Sequence, residues 1–220
     1  MPIDHDRTKH KLSKEPSAVN MTDKGRPEIV EVEPSFTFDD IILNEKTRSQ
    51  IEYILSIEKN RDLIYETWGL KKVFKTNKNI TLNLFGPSGT GKTMTAHAIA
   101  DHLSKKMIIV NYADIESKYV GETSKNLVRL FEGAGASDAI LFFDEADALL
   151  SKRVTSMDHA TDVSVNQTRS VLLQLLDNYT GIVLFTTNFI QNYLFLDGSQ
   201  ATYSSTCRMR QCEKRYGDTT

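Results

Sequence analysis

Cysteine is scarce: the 220 residues contain two, Cys207 and Cys212. They lie close together with no third or fourth ligand candidate nearby. They read as bystander thiols in a reducing compartment rather than as a metal site. Long hydrophobic runs are also lacking. The longest, such as MIIVNY and AILFF, are strand-length, and neither could span a bilayer. The N-terminus MPIDHDRTKHKLSKEP has no apolar stretch of the kind a secretory leader needs. These absences predict a soluble, cytoplasmic protein with no membrane partner. Nor is there an excess of one charge. Lys and Arg number 27 against 29 Asp and Glu, a net of -2. Nothing in that balance draws a polyanion, so no nucleic-acid partner is expected. What remains is ordinary for a globular chain: 40% apolar and 25% charged residues, enough for one sizeable domain.

Residues 1–35 are rich in Lys, Asp, Glu and Pro and poor in large apolar groups. Such a segment buries too little surface to offset its chain entropy, which predicts a disordered N-terminal tail. A tail that docks a partner is the alternative. From Phe36 the pattern changes. FTFDDIILNEKTRSQIEYILSIEKNRDLI carries Ile51, Ile54, Leu55 and Ile57 near helical spacing, which predicts a short turn and then one long amphipathic helix. The core is expected to span residues 36–192, and residues 193–220 form a divergent tail.

Within the core, four apolar runs alternate with helical segments. Strands are predicted at 80–86, 107–112, 139–144 and 182–187. Helices are predicted from about Lys92 to Lys105, Thr123 to Gly133 and Asn166 to Asp177. Continuously apolar strands are buried on both faces. Their alternation with helices predicts a parallel, three-layer α/β sheet.

The first strand runs directly into LFGPSGTGKTMTAHAIA, which fits G-x-x-x-x-G-K-[ST] at Gly86, Gly91, Lys92 and Thr93. Glycines let backbone N–H groups converge on phosphate oxygens without a Cβ in the way. The helix that follows points its positive end at the same anion. The predicted nucleotide cradle is Gly86, Pro87, Ser88, Gly89, Thr90, Gly91, Lys92, Thr93 and Met94. Lys92 would reach the outer phosphates, and the Thr93 hydroxyl would ligate Mg²⁺. A chance glycine-rich turn would not need a buried strand before it and a helix after it. His97 and His102, on the same helix, read as packing or surface residues rather than ligands.

A phosphate-bound Mg²⁺ needs a second anchor from a neighbouring strand end. Asp144 closes the run ILFFD and fits that need. Glu145 follows and can polarise a water attacking the γ-phosphate. A solvated acidic turn is the competing reading, set against a fully apolar strand whose end faces the phosphate loop in such sheets. The tetrapeptide Asp144-Glu145-Ala146-Asp147 also occurs in RNA helicases. A helicase of that type needs a second nucleotide-sandwiching domain, and the residues after Asp144 are too few for one. A GTPase is disfavoured because no Asn-Lys-x-Asp element follows the fourth strand. A small-molecule kinase is disfavoured because Glu145 suits water activation and no substrate lid is visible.

With these motifs in place, the sequence resembles the AAA+ ATPase family, specifically its AAA branch, over about Phe36 to Asn188. FDDIILNE is similar to the segment that wraps the adenine. GPSGTGKT is similar to Walker A and ILFFDEAD to Walker B. The resemblance implies a P-loop ATPase using ATP and Mg²⁺. TTN, ending at Asn188, resembles the family's sensor 1, which implies that Asn188 helps orient the attacking water; a strand-end cap is the alternative. SKYVGET resembles the family's pore loop. That implies a homo-oligomeric ring, a hexamer, whose Tyr119 and Val120 grip an extended protein substrate while Gly121 lets the loop move. Tyr119 packed in the core is the alternative.

After Asn188 the resemblance breaks. FIQNYLFLDGSQATYSSTCRMRQCEKRYGDTT carries no recognisable arginine finger, fifth strand or helical lid. Arg208, Arg210 and Arg215 sit in unrelated surroundings and are assigned no role. A sheet without its fifth strand would leave the phosphate-loop strand with an unpaired edge. The segment from about Tyr193 reads as out-of-frame or truncated sequence, or as that of a degenerate paralogue. Two functions remain: an ATP-hydrolysing core of a protein-remodelling ring, or a nucleotide-binding module that switches an assembly without turnover.

Overall fold

The computed structural model describes residues 19–21, 27–68, 79–111, 122–150, 160–188 and 203–209. Two short strands, β1 (Val19–Met21) and β2 (Pro27–Ile29), pair antiparallel. Thr37 and Asp40 then close a capping box around the 3₁₀ turn Phe38–Asp40: Thr37 N donates to Asp40 Oδ2 at 2.8 Å, and Asp39 N to Thr37 Oγ1 at 3.3 Å. Hydrogen bonds from Thr37 N and from the Thr37 hydroxyl hold the Asp40 carboxyl below its ordinary pKa. Helix α1 (Glu45–Lys59) starts at Asn44, whose side chain accepts from Thr47 N at 2.9 Å. It buries Thr47, Ile51, Ile54, Leu55 and Ile57 on one face. It is shorter than the predicted helix: Asn60 ends it, and Leu63–Thr67 forms a separate π-type turn.

The rest alternates strand and helix: β3 (Ile80–Phe85), α2 (Lys92–His102), β4 (Met107–Asn111), α3 (Glu122–Ser137), β5 (Ile140–Asp144), α4 (Asp147–Leu150), α5 (Ala160–Asn178), β6 (Ile182–Thr187) and β7 (Tyr203–Arg208). The main sheet has the order β4-β5-β6-β3-β7, and every neighbouring pair is parallel. The fold is therefore the α/β P-loop NTPase architecture that the sequence led us to expect.

Alternation along each strand splits the core in two. Leu82, Leu84, Phe142 and Leu184 face α1 and α2, where they meet Ile51, Leu55, Ala96 and Ile99. Ile108, Leu141, Phe143 and Phe185 face α3 and α5, where they meet Leu127, Leu130, Leu172 and Leu176. Burying each such side chain contributes roughly 1.5–3 kcal/mol, so the two apolar faces fix which helix covers which side. The small residues Ala96, Ala98 and Ala100 let α2 lie close to the sheet.

Two expectations are corrected. First, the edge of β3 is paired. Tyr203–Arg208 forms a fifth strand along it, in register from Ile80↔Tyr203 to Phe85↔Arg208. A parallel edge strand is held by main-chain hydrogen bonds, which polar as well as apolar residues supply. The sequence YSSTCR gave no periodic signal for it. Among the described residues, no helix follows β6. Second, residues 29–35, assigned by composition to the tail, run along the β4 edge. Val32 and Met107 exchange backbone hydrogen bonds of 2.8 and 2.9 Å, and Ser35 N donates to His97 Nδ1 at 3.2 Å. His97 is buried between Phe36 and Phe142, in edge-on contact with both rings, as a packing residue. His102 lies near the surface and meets Lys59 Nζ at 2.9 Å.

Candidate active site

Parallel strands bring the C-terminal ends of β3, β5 and β6 to one edge of the sheet. At that edge the chain leaves β3 through Gly86. Its φ is +155°, and an added Cβ would lie 2.4 Å from the Met209 carbonyl oxygen, so the site is closed to any other residue. Gly89 and Gly91 have φ of +77° and +82°. Space is open around both, so there it is the left-handed backbone that calls for glycine. Between them the Thr90 hydroxyl donates to Pro87 O at 2.9 Å and tightens the turn. Pro87, Ser88 and Gly89 are exposed. Gly91 caps α2, and its carbonyl takes Thr95 N at 2.9 Å and Thr95 Oγ1 at 2.8 Å. Lys92, Thr93 and Met94 form the first turn of α2.

Lys92 Nζ donates to three acceptors: Gly86 O at 2.9 Å, Pro87 O at 3.0 Å and Asn188 Oδ1 at 2.9 Å. An ammonium has three donors, and all three are engaged. Burial pushes the Lys92 pKa below its ordinary value, against the opposing pull of Asp144, Asp147 and Glu145.

Thr93 Oγ1 lies 3.3 and 3.5 Å from the two carboxylate oxygens of Asp144. The Thr186 hydroxyl donates to Asp144 Oδ1. Glu145 N donates to the same oxygen at 3.1 Å and to Thr186 Oγ1 at 3.0 Å. These bonds hold Glu145 at φ +51°, a conformation uncommon for a non-glycine residue, with its side chain exposed at the same edge. The arrangement gathers a hydroxyl and a carboxylate, both hard oxygen donors suited to Mg²⁺.

The structure thus sets Lys92 against Asn188 and Thr93 against Asp144 at one edge of the sheet, with Glu145 adjacent. Sequence reasoning missed three partners: Thr186, Thr187 and Asp147. Thr187 Oγ1 donates to Asp147 Oδ1. Asn188 N donates to the same carboxylate at 3.1 Å, and Asn188 Nδ2 at 3.4 Å. A signal existed, since Asp147 is one helical step beyond the apolar strand and Thr186 and Thr187 stand directly before Asn188. Tyr119, Val120 and Gly121 lie outside the described residues. Among the described residues, no cluster of His, Cys, Asp or Glu forms a further metal site.

A family model described as the ATPase family associated with various cellular activities (AAA) matches residues 82–194, just over half of the 220-residue chain. The chain belongs to the AAA family of ATPases. Among AAA relatives, it is 32% identical over 152 residues to a 26S proteasome regulatory subunit 8 homolog of Schizosaccharomyces pombe, covering 69% of this chain and 36% of the relative. It is 30% identical over 151 residues to proteasome-activating nucleotidase 1 of Haloferax volcanii, covering 68% of this chain and 36% of that one. A shorter match, 44% over 79 residues, relates it to fidgetin-like protein 1 of Drosophila melanogaster, covering 36% of this chain and 15% of that one. The chain thus spans little more than a third of the length of the proteasome-related AAA proteins it matches. The AAA match contains the phosphate loop, Asp144, Glu145 and Asn188 within its bounds.

Proposed function

We propose that this chain is an ATP-binding and ATP-hydrolysing AAA core that works on protein substrates in a homo-oligomeric ring, a hexamer. The observation that carries the reading is the junction of Lys92, Thr93, Asp144 and Asn188 at one sheet edge. The nucleotide phosphates fit the glycine cradle Gly86–Gly91, where N–H groups and the start of α2 favour an anion. Mg²⁺ fits the Thr93 hydroxyl and the Asp144 carboxylate. When bound, the metal neutralises charge on the phosphate oxygens.

The chain's own residues do the rest. Lys92 leaves one or more of its three present acceptors and turns to the outer phosphates. Asp144 and Thr93 hold the metal. Glu145, exposed beside them, takes the proton of a water, and Asn188 orients that water. The bonds that Glu145 N donates to Asp144 Oδ1 and Thr186 Oγ1 fix the backbone from which its carboxylate extends.

The ring and the protein substrate rest on the relatives. Two of them are a 26S proteasome regulatory subunit and a proteasome-activating nucleotidase. In this reading Tyr119, Val120 and Gly121 form the loop that grips the substrate. Among the described residues, no helix is long and apolar enough to cross a membrane.

The test is ATP turnover by the purified chain across a wide concentration range, with Lys92→Ala as the blank. Turnover that rises more steeply than protein concentration supports subunits completing each other's sites. Glu145→Gln keeps ATP binding and lowers kcat by about 10²–10⁴-fold. Equal turnover in that variant rejects the role of Glu145. Binding without turnover at every concentration supports the second reading, a nucleotide-binding module that switches an assembly.

A further inference from the structure

The Asn188 side chain stands between opposite charges. On one side is the Asp147 carboxylate, 3.4 Å from Nδ2; on the other is the Lys92 ammonium, 2.9 Å from Oδ1. An amide can occupy either of two flips, and its neighbours decide between them. Turning this amide over would set its oxygen against a carboxylate and its NH₂ against an ammonium. Both contacts would change from attractive to repulsive. The flip is therefore dictated by the charges on either side.

Asp147 is itself fixed. Thr187 Oγ1 donates to Oδ1, and Asn188 N donates to Oδ1 at 3.1 Å and to Oδ2 at 3.4 Å. Asp147 opens the one-turn helix α4, immediately after the positive-φ turn at Glu145. Its carboxylate therefore sits on a rigid corner between β5 and β6.

We propose that Asp147 is a positioning residue that locks the Asn188 amide with Oδ1 toward the phosphate-loop lysine and Nδ2 away from it. The inference rests on the ATPase reading above and adds a residue to it. Asn188 can then act at Lys92 only as an acceptor. It holds the lysine while the cradle is free of phosphate, and its oxygen becomes available to another donor once the lysine leaves. Replacing the carboxylate by an amide reverses the bias. An Asn at 147 can donate to Asn188 Oδ1 and turn its NH₂ toward Lys92.

The experiment reads Lys92 directly in the nucleotide-free full chain. The rate of Lys92 acylation by acetic anhydride is followed by peptide mass spectrometry, with an exposed lysine as internal reference. Asp147→Asn is expected to speed Lys92 acylation roughly tenfold, the equivalent of one charge-assisted hydrogen bond. Asn188→Ala gives a similar increase, and the double variant no more than Asn188→Ala alone. That last result separates orientation from charge. A purely Coulombic effect of Asp147 on Lys92 would persist in the Asn188→Ala background, and such persistence overturns the proposal. So does an unchanged rate in Asp147→Asn. If Asp147→Asn does not fold, Thr187→Val keeps the carboxylate but removes the Thr187 hydrogen bond that helps hold it, leaving the one from Asn188 N. An increase there that vanishes with Asn188→Ala supports the proposal, and no increase overturns it. In steady state, Asp147→Asn should lower kcat by about 10- to 100-fold with little change in KM. A wild-type chain without turnover would count against the ATPase reading, while the acylation rates would still decide the role of Asp147.

Discussion

The hydroxyl of Thr93 and the carboxylate of Asp144 face each other at 3.3 Å, although 51 residues separate them in sequence. One comes from the first turn of α2, the other from the last residue of β5. Thr93→Ala and Asp144→Asn should each weaken ATP binding in the presence of Mg²⁺ far more than in EDTA. Titration of a fluorescent ATP analogue under both conditions checks this. Equal losses with and without the metal would show that these oxygens do not hold it.

Gly86 is closed to a side chain by the Met209 carbonyl, 2.4 Å from where a Cβ would stand. Gly86→Ala should therefore cost roughly 1–3 kcal/mol in stability. It should also loosen nucleotide binding, because the same residue starts the phosphate loop. Urea melts and nucleotide titration of the variant measure the two effects separately.

Tyr179 is buried, and its hydroxyl has no hydrogen-bond partner among the described residues. Burial, helped by Asp138 and opposed by Arg61, pushes the phenol pKa up to about 12. The folded pKa is raised above the unfolded value of 10.0. Its contribution to stability is therefore fully present below pH 10 and is lost as pH rises from there to about 12. Tyr179→Phe should remove that alkaline loss. At neutral pH it should leave stability unchanged or raise it by about 1 kcal/mol, because an orphaned polar group is removed. Melting temperatures of both proteins from pH 7 to pH 11 are the check.

Asn44 caps α1 through its bond to Thr47 N at 2.9 Å. Asn44→Ala should lower stability by about 1 kcal/mol. ATP affinity should fall as well, since Asn44 lies in the segment FDDIILNE that resembles the adenine-wrapping one, and Thr47, which it caps, bonds to Arg208 O beside the start of the phosphate loop. Chemical denaturation with and without nucleotide tests both halves of the expectation.

Much of this was legible in the sequence. Strands β3 to β6 are mostly apolar runs, and a buried parallel strand needs little else. The phosphate loop was legible because glycine is demanded at Gly89 and Gly91 by the backbone itself. Asp144 was legible as the first charge after an apolar strand. The partners that shape the site were harder. Thr186 and Thr187 are strand residues whose hydroxyls matter only once β6 lies beside β5. Asp147 looked like part of an acidic turn until Asn188 was placed against it. Strand β7 escaped because its pairing is made by main chain, which a composition reading does not see. The strap at residues 29–35 escaped for a related reason: Val32 pairs with Met107 through backbone hydrogen bonds, and its side chain and that of Ile29 are only partly buried against the core.

Met209 ties the far end of the chain to the start of the phosphate loop: its N–H donates to Phe85 O at 2.7 Å, and its carbonyl closes over Gly86. Thr47 adds a bond from α1 to Arg208 O at 3.0 Å. This makes the timing of synthesis matter. A chain emerging from the ribosome N-terminus first would have β3, α2, β5 and β6 in hand before β7 exists. The cradle would acquire this wall only when β7 arrives, so a nascent chain should gain its full hold on nucleotide after residue 209 has cleared the exit tunnel.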